Sequence, residues 1–236
     1  MADTSVLAQL SALPGVGTAS GVAEAAEDAR IAGGALPVVS ELASVLPWGG
    51  LRSGSTLAVH GSTSLLLALL AEATSAGSWA AVVGMPNLGV VAASELGVRV
   101  DRLALVPRPG ARFADVVAAL LDGMDLVAVT SPGERTASGL QHRLSARARH
   151  RRTVLLSLGP WPGADLTLRY TAGNWSGADN GSGYLRTRDT AVHVDGRGAA
   201  ARPVRTQLRL PGIGGAVTSC REGEPAVTLG DVREVG

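Results

Sequence analysis

Thr56-Leu57-Ala58-Val59-His60-Gly61-Ser62-Thr63-Ser64-Leu65-Leu66-Leu67-Ala68-Leu69-Leu70-Ala71-Glu72-Ala73-Thr74-Ser75-Ala76-Gly77 is the stretch that decides the fold. A short apolar run, Thr56 to His60, breaks at Gly61 into three hydroxyl residues. A helical stretch from Ser64 to Ala76 follows and stops at Gly77. A strand that passes through a polar turn into a helix is one unit of a parallel sheet covered by helices. Ser62, Thr63 and Ser64 stand where the first turn of that helix needs a side-chain cap.

The unit repeats downstream. Trp79 to Val83 is the next expected strand, and Asn87 is expected to cap a helix to Leu96 that Gly97 stops. The strand Leu103 to Val106, the helix Arg112 to Asp122 closed by Gly123, and the strand Leu126 to Thr130 come next. A helix from about Glu134 to His150 then leads to the strand Val154 to Leu158. The pattern predicts an α/β domain: a mainly parallel sheet flanked by helices. After Gly159 the character changes. Asp165 to Tyr170, Gly183 to Arg188, Ala191 to Val194 and Val204 to Leu210 read as strands between Gly-, Asn- and Asp-rich turns, which predicts an antiparallel C-terminal extension.

Upstream, Val38, Val39, Leu42, Val45 and Leu46 recur at helical spacing up to the breaker Pro47 and the Trp48-Gly49-Gly50 turn. Residues 1–35 read as a flexible arm with a short helix from Val6 to Leu13, residues 36–212 as the folded domain, and 213–236 as a mobile tail without periodicity.

Composition agrees with a folded domain. Of 236 residues, 46% are apolar and 17% charged, enough apolar surface for a core. The longest apolar run, Leu65 to Ala71, is far short of the roughly 18 to 20 residues of a membrane-spanning helix. The start MADTSVLAQL lacks the basic and apolar regions of a signal peptide, and a single cysteine, Cys220, builds no disulfide framework. A soluble cytoplasmic protein is expected. The chain contains no lysine, so all 21 basic side chains are arginine. That excludes Schiff-base chemistry and the phosphate-binding lysine of a P-loop. Net charge is +1, yet thirteen arginines face four acids between Arg135 and Leu210, while the remainder carries eight against sixteen. Such asymmetry suits an anionic partner on one face, or a solvated arginine-rich surface.

No catalytic constellation is legible. Gly61, Ser62, Thr63 and Ser64 occupy the place of a phosphate loop, but GxxxxGK[ST] needs more residues and a lysine. Helix capping is their expected role. The strand from Leu126 ends in Thr130-Ser131-Pro132 without the acid that would hold magnesium, and Asp122 and Asp125 at its other end are expected to close a turn. His60, His142, His150 and His193 lack metal-ligand spacing. No GxSxG, HExxH or suggestive carboxylate pair occurs. Neither a metal nor a cofactor is expected. The densest cationic stretch carries Arg143, Arg147, Arg149, Arg151 and Arg152. On a helix, Arg143, Arg147 and Arg151 would share a face able to grip phosphates or acidic side chains, or would simply make a favourable cationic helix end. Trp161, Tyr170, Trp175 and Tyr184 lie beyond this cluster and are expected in core or turn packing.

Leu51-Arg52-Ser53-Gly54-Ser55-Thr56-Leu57-Ala58-Val59-His60-Gly61 resembles the entry to a RecA core, and Ser94-Glu95-Leu96-Gly97-Val98 with Asp101-Arg102-Leu103 resembles the join of its second helix and third strand. By that alignment the catalytic glutamate position falls at about Met85. Gly183-Tyr184-Leu185-Arg186-Thr187-Arg188, Gly196-Arg197-Gly198 and Gln207-Leu208-Arg209-Leu210-Pro211-Gly212 are similar to the end of the conserved region of the ImuA family, especially its actinobacterial branch. The resemblance covers about residues 40–212. It implies a RecA-like fold without ATPase activity, serving SOS-induced translesion synthesis and mutagenesis. Implied partners are the Y-family polymerase homologue ImuB, a DnaE-type polymerase and RecA, with DNA contacted mainly through them at the nucleoid. By analogy, the arm before Leu36 and the segment after Gly159 are the suspected docking surfaces. Two other readings stand beside it: a residual nucleotide-binding RecA paralogue, and a SulA-like SOS cell-division inhibitor.

Overall fold

The computed structural model describes residues 34–130, 138–179, 182–198 and 201–220, all but Gly34 within the compact unit that begins at Ala35. The arm expected over residues 1–35 lies outside the described residues except at its last two positions.

A ribbon of β1 (Ala35–Leu36) and β2 (Leu51–Arg52) encloses the four-residue helix α1 (Ser40–Ala43). The main sheet has nine strands: β3 (Thr56–His60), β4 (Ala80–Val83), β5 (Leu103–Val106), β6 (Leu126–Thr130), β7 (Val154–Leu158), β8 (Leu166–Asp179), β9 (Ser182–Gly196), β10 (Val204–Arg209) and β11 (Thr218–Ser219). Their spatial order is β11-β10-β9-β8-β3-β7-β6-β4-β5. Every pairing from β8 to β5 is parallel, and β8 to β11 are antiparallel to one another. The helices are α2 (Thr63–Ser75), α3 (Val90–Glu95), α4 (Phe113–Gly123) and α5 (Ser138–Arg151).

Strand alternation builds two cores. Leu57 and Val59 of β3, Val82 of β4, Leu126 and Ala128 of β6 and Leu156 of β7 face α2. Ala58, Val83, Val127, Val129 and Leu155 face the other way, toward Val117 and Leu121 of α4 and Leu144 and Ala148 of α5. Helix α2 is apolar nearly all round because the α1 and α3 segments cover its outer side. Leu65 to Ala71 are buried without a break.

Three expectations need correction. Asn87 caps no helix: α3 begins later with Gly89 as its N-cap and no side-chain cap, because the Leu88 N–H donates to the Met85 carbonyl and holds Asn87 in a turn. The two strands expected at Gly183–Arg188 and Ala191–Val194 are one strand, since Asp189 and Thr190 stay in the ladder opposite Arg209 and Leu208. The tail expected to be mobile is ordered as far as Cys220. Val217 is buried, β11 pairs with β10, and Gly215 at φ 87° lies against Glu95 of α3. Residues 221–236 lie outside the described residues. Because β11 covers only Leu208 and Arg209, Val204–Gln207 of β10 is an open edge among the described residues.

Candidate functional site

The chain leaves β3 for β4 on one side and later returns from β7 to β8 on the other, so the crossovers part at β3. In open α/β sheets that point, at the carboxyl ends of the strands, is where a ligand crevice forms. The described residues there are His60 to Ser64, Gly84, Met85, Thr130 and Gly159, and none is a carboxylate.

The turn after β3 is closed on itself. Gly61 adopts φ 87°, and a side chain there would stand 3.1 Å from the Tyr170 carbonyl of β8. Ser62 is extended, and its Oγ accepts the Leu65 N–H at 3.0 Å, making it the cap of α2. Thr63 and Ser64 are first-turn helical residues. Thr130 Oγ1 donates to the Gly84 carbonyl at 2.9 Å, and the Gly84 N–H donates to Val106. Met85 is half-buried against the larger core. Thr130 is thus a satisfied hydroxyl and Met85 a packed thioether. The loop keeps a helix cap at Ser62.

Acids gather at the opposite end of the strands. Asp125 accepts the Trp79 N–H at 2.8 Å and Asp165 accepts that of Thr56 at 2.9 Å. Asp125 does close a turn. Asp122, at the end of α4, does more: Arg147 and Arg151 of α5 both converge on it. The hydrogen bonds from Arg147 hold the Asp122 carboxyl below its ordinary pKa and raise that of Arg147. Arg149 reaches Asp165 at 3.7 Å, and Arg152 ends the helix at φ 57°. Of the five arginines expected to meet a partner, Arg147 and Arg151 are tied to α4, Arg149 to Asp165, and Arg143 stands exposed on α5.

The four histidines are not brought together, and no group of three or more His, Cys, Asp or Glu among the described residues could hold a metal. Nor is any described helix long and apolar enough to cross a membrane. Burial raises the Cys220 thiol pKa, and the neighbouring Asp189 adds to that, so the thiol is poorly activated.

Aromatic placement departs from expectation. Trp161 is buried, with its indole N–H donating to Ser145 Oγ at 2.9 Å, and Tyr170 is half-buried with its pKa raised by burial. Trp175 and Tyr184 are not core residues: both stand exposed on the β8–β9 hairpin, with Arg188 against the Trp175 ring. The sequence signal for this was the glycine and asparagine around both rings, which leaves them no apolar partners in an alternating strand.

The family model described as the MT3502 N-terminal domain matches residues 44–163, just over half of the chain. That span holds the Ser62 loop, Asp122 and the arginines of α5, and stops short of β8. The uncharacterized protein Rv3395c of Mycobacterium tuberculosis is 40% identical over 119 residues, which cover 50% of this chain and 58% of the relative. The chain therefore spans under two thirds of that relative's length.

Proposed function

We propose that this chain, which belongs to the MT3502 N-terminal domain family, is a non-catalytic accessory protein of damage-induced translesion DNA synthesis with a RecA-like, ImuA-type core. It docks with an ImuB-type Y-family polymerase homologue in the cytoplasm and brings that protein toward RecA and a DnaE-type polymerase at damaged DNA. One observation carries the reading. The turn lies at the switch point where open α/β sheets form ligand crevices, yet Ser62 spends its hydroxyl on the helix cap while Met85 and Thr130 occupy the strand tips. A frame that retains the nucleotide-binding layout without turnover groups is suited to docking. The run from Leu51 through Gly61 and the order of the distal segments support the RecA-like and ImuA-type assignment. The uneven arginine distribution supports an acidic or anionic partner.

Co-expression with the polymerase homologue, purification through a tag on this chain, and light scattering after size exclusion test the reading. The expected result is a stoichiometric complex indifferent to ATP and magnesium. A complex that forms only with ATP overturns it in favour of a nucleotide switch. Absence of a complex together with filamentation on overexpression overturns it in favour of a division inhibitor.

A further inference from the structure

The far half of the β8–β9 hairpin is a ribbon with no sheet neighbour among the described residues. Pairing of β8 with β3 ends at Arg169, and the backbone bonds of β9 to β10 and the residues after it end at Arg188, which exchanges them with Leu210 and Pro211. Beyond those rungs Thr171–Ala178 and Gly183–Arg186 are exposed. A two-stranded ribbon is marginal in water by itself, so large rings held out on one gain little from packing within it. Yet Trp175 is 37%, Leu185 60% and Tyr184 80% exposed.

Arginines are interleaved with these rings. Arg188 stands opposite Trp175 in the ladder. Its guanidinium carbon lies 5.3 Å from the centre of the Trp175 ring and 5.9 Å from that of Tyr170, which fixes the indole. Arg188 Nε is buried between these rings. Arg186, two residues on, has no ion-pair partner among the described residues. Of the acids on these strands, Asp189 is engaged by Arg209 at 3.1 Å and Asp195 by Arg169.

We propose that this hairpin is a contact site for single-stranded nucleic acid, with bases stacking on Trp175 and Tyr184 and phosphates drawn to Arg186 and Arg188. Every base has a face that stacks on an aromatic ring, and arginine serves the backbone and the ring at once. A protein partner would favour an unbroken apolar centre in its contact patch. Here Arg188 stands opposite Trp175, and Tyr184 sits between Gly183 and Leu185 with Arg186 next, so cations interrupt the apolar surface. The inference goes beyond the proposed function, which requires only a protein partner.

The test uses the full chain and a fluorescein-labelled oligothymidylate of about 20 nucleotides, long enough for such a site. Anisotropy is followed from about 50 to about 200 mM salt, a range over which phosphate contacts weaken steeply. The parent is expected to bind, and more weakly as salt rises. Trp175→Ala and Tyr184→Ala should each weaken binding about tenfold, as loss of one stacked base does. Trp175→Phe should retain most of it. Arg186→Glu should weaken binding and flatten its salt dependence, whereas Arg108→Glu, beyond β5 at the opposite sheet edge, should behave as the parent. Each variant is compared at an unchanged melting temperature. No binding by the parent overturns the proposal, as does binding that all hairpin variants keep. Hairpin variants that bind oligothymidylate normally but lose the polymerase homologue reassign the hairpin to protein docking. Hairpin variants that lose oligothymidylate but keep the polymerase homologue separate this site from the docking function.

Discussion

Asp122 at the end of α4 takes Arg147 of α5 in a two-pronged grip, Oδ1 receiving Nε at 2.8 Å and Oδ2 receiving Nη2 at 2.5 Å. Arg151 Nε adds a third bond to Oδ1 at 3.0 Å. The densest cationic segment of the chain is therefore in part an internal clamp between two helices.

Asp122→Asn should lower the urea midpoint at neutral pH without changing the slope, because one exposed carboxylate serves two arginines. The carboxyl pKa is lowered in the folded state, so its contribution is complete above the ordinary carboxylate value of about 3.9. It is lost as pH falls through the lowered folded value. The parent and Asp122→Asn midpoints should converge in acid, and a gap that stays constant there would refute the clamp.

Ser62→Ala should cost about 1 kcal/mol by removing the only side-chain acceptor at the start of α2. Thr63→Ala should cost less, since that residue is already helical. Equal losses in urea denaturation would mean that Ser62 does not act as the cap.

Trp161→Phe should cost about 1 to 3 kcal/mol, because it leaves the buried Ser145 hydroxyl without its indole donor. Pairing it with Ser145→Ala should recover part of that loss in a double-mutant cycle. Additive losses would count against the bond.

The parallel half of the fold was readable because its inner strands are buried on both faces. Leu126 to Val129 and Val154 to Ser157 are continuous apolar or small runs bounded by turn residues, and they read as strands within a residue of their ends. The length of β8 and β9 was not readable. Residues 171–178 of β8 are all exposed, so no alternation marks the strand. The Ser62 cap was visible in sequence because a cap is a local bond. The Asp122 clamp was hidden because its partners lie 25 and 29 residues away. Asn87 misled for the converse reason: a good capping residue preceded a segment whose backbone had already turned at Leu88.

The open edge of β10 bears on how this protein behaves in crowded solution. The outward N–H and C=O groups of this stretch, unpaired among the described residues, could template a second copy strand to strand, the route by which sheet proteins polymerise. Pro203 contributes no amide hydrogen at the start of this edge, and Arg205 sits within it. In an antiparallel pairing of two such edges with all four positions matched, Arg205 faces Thr206 of the other copy, so the pairing gives neither guanidinium an acidic partner. One proline and one arginine thus blunt this edge against strand-to-strand polymerisation.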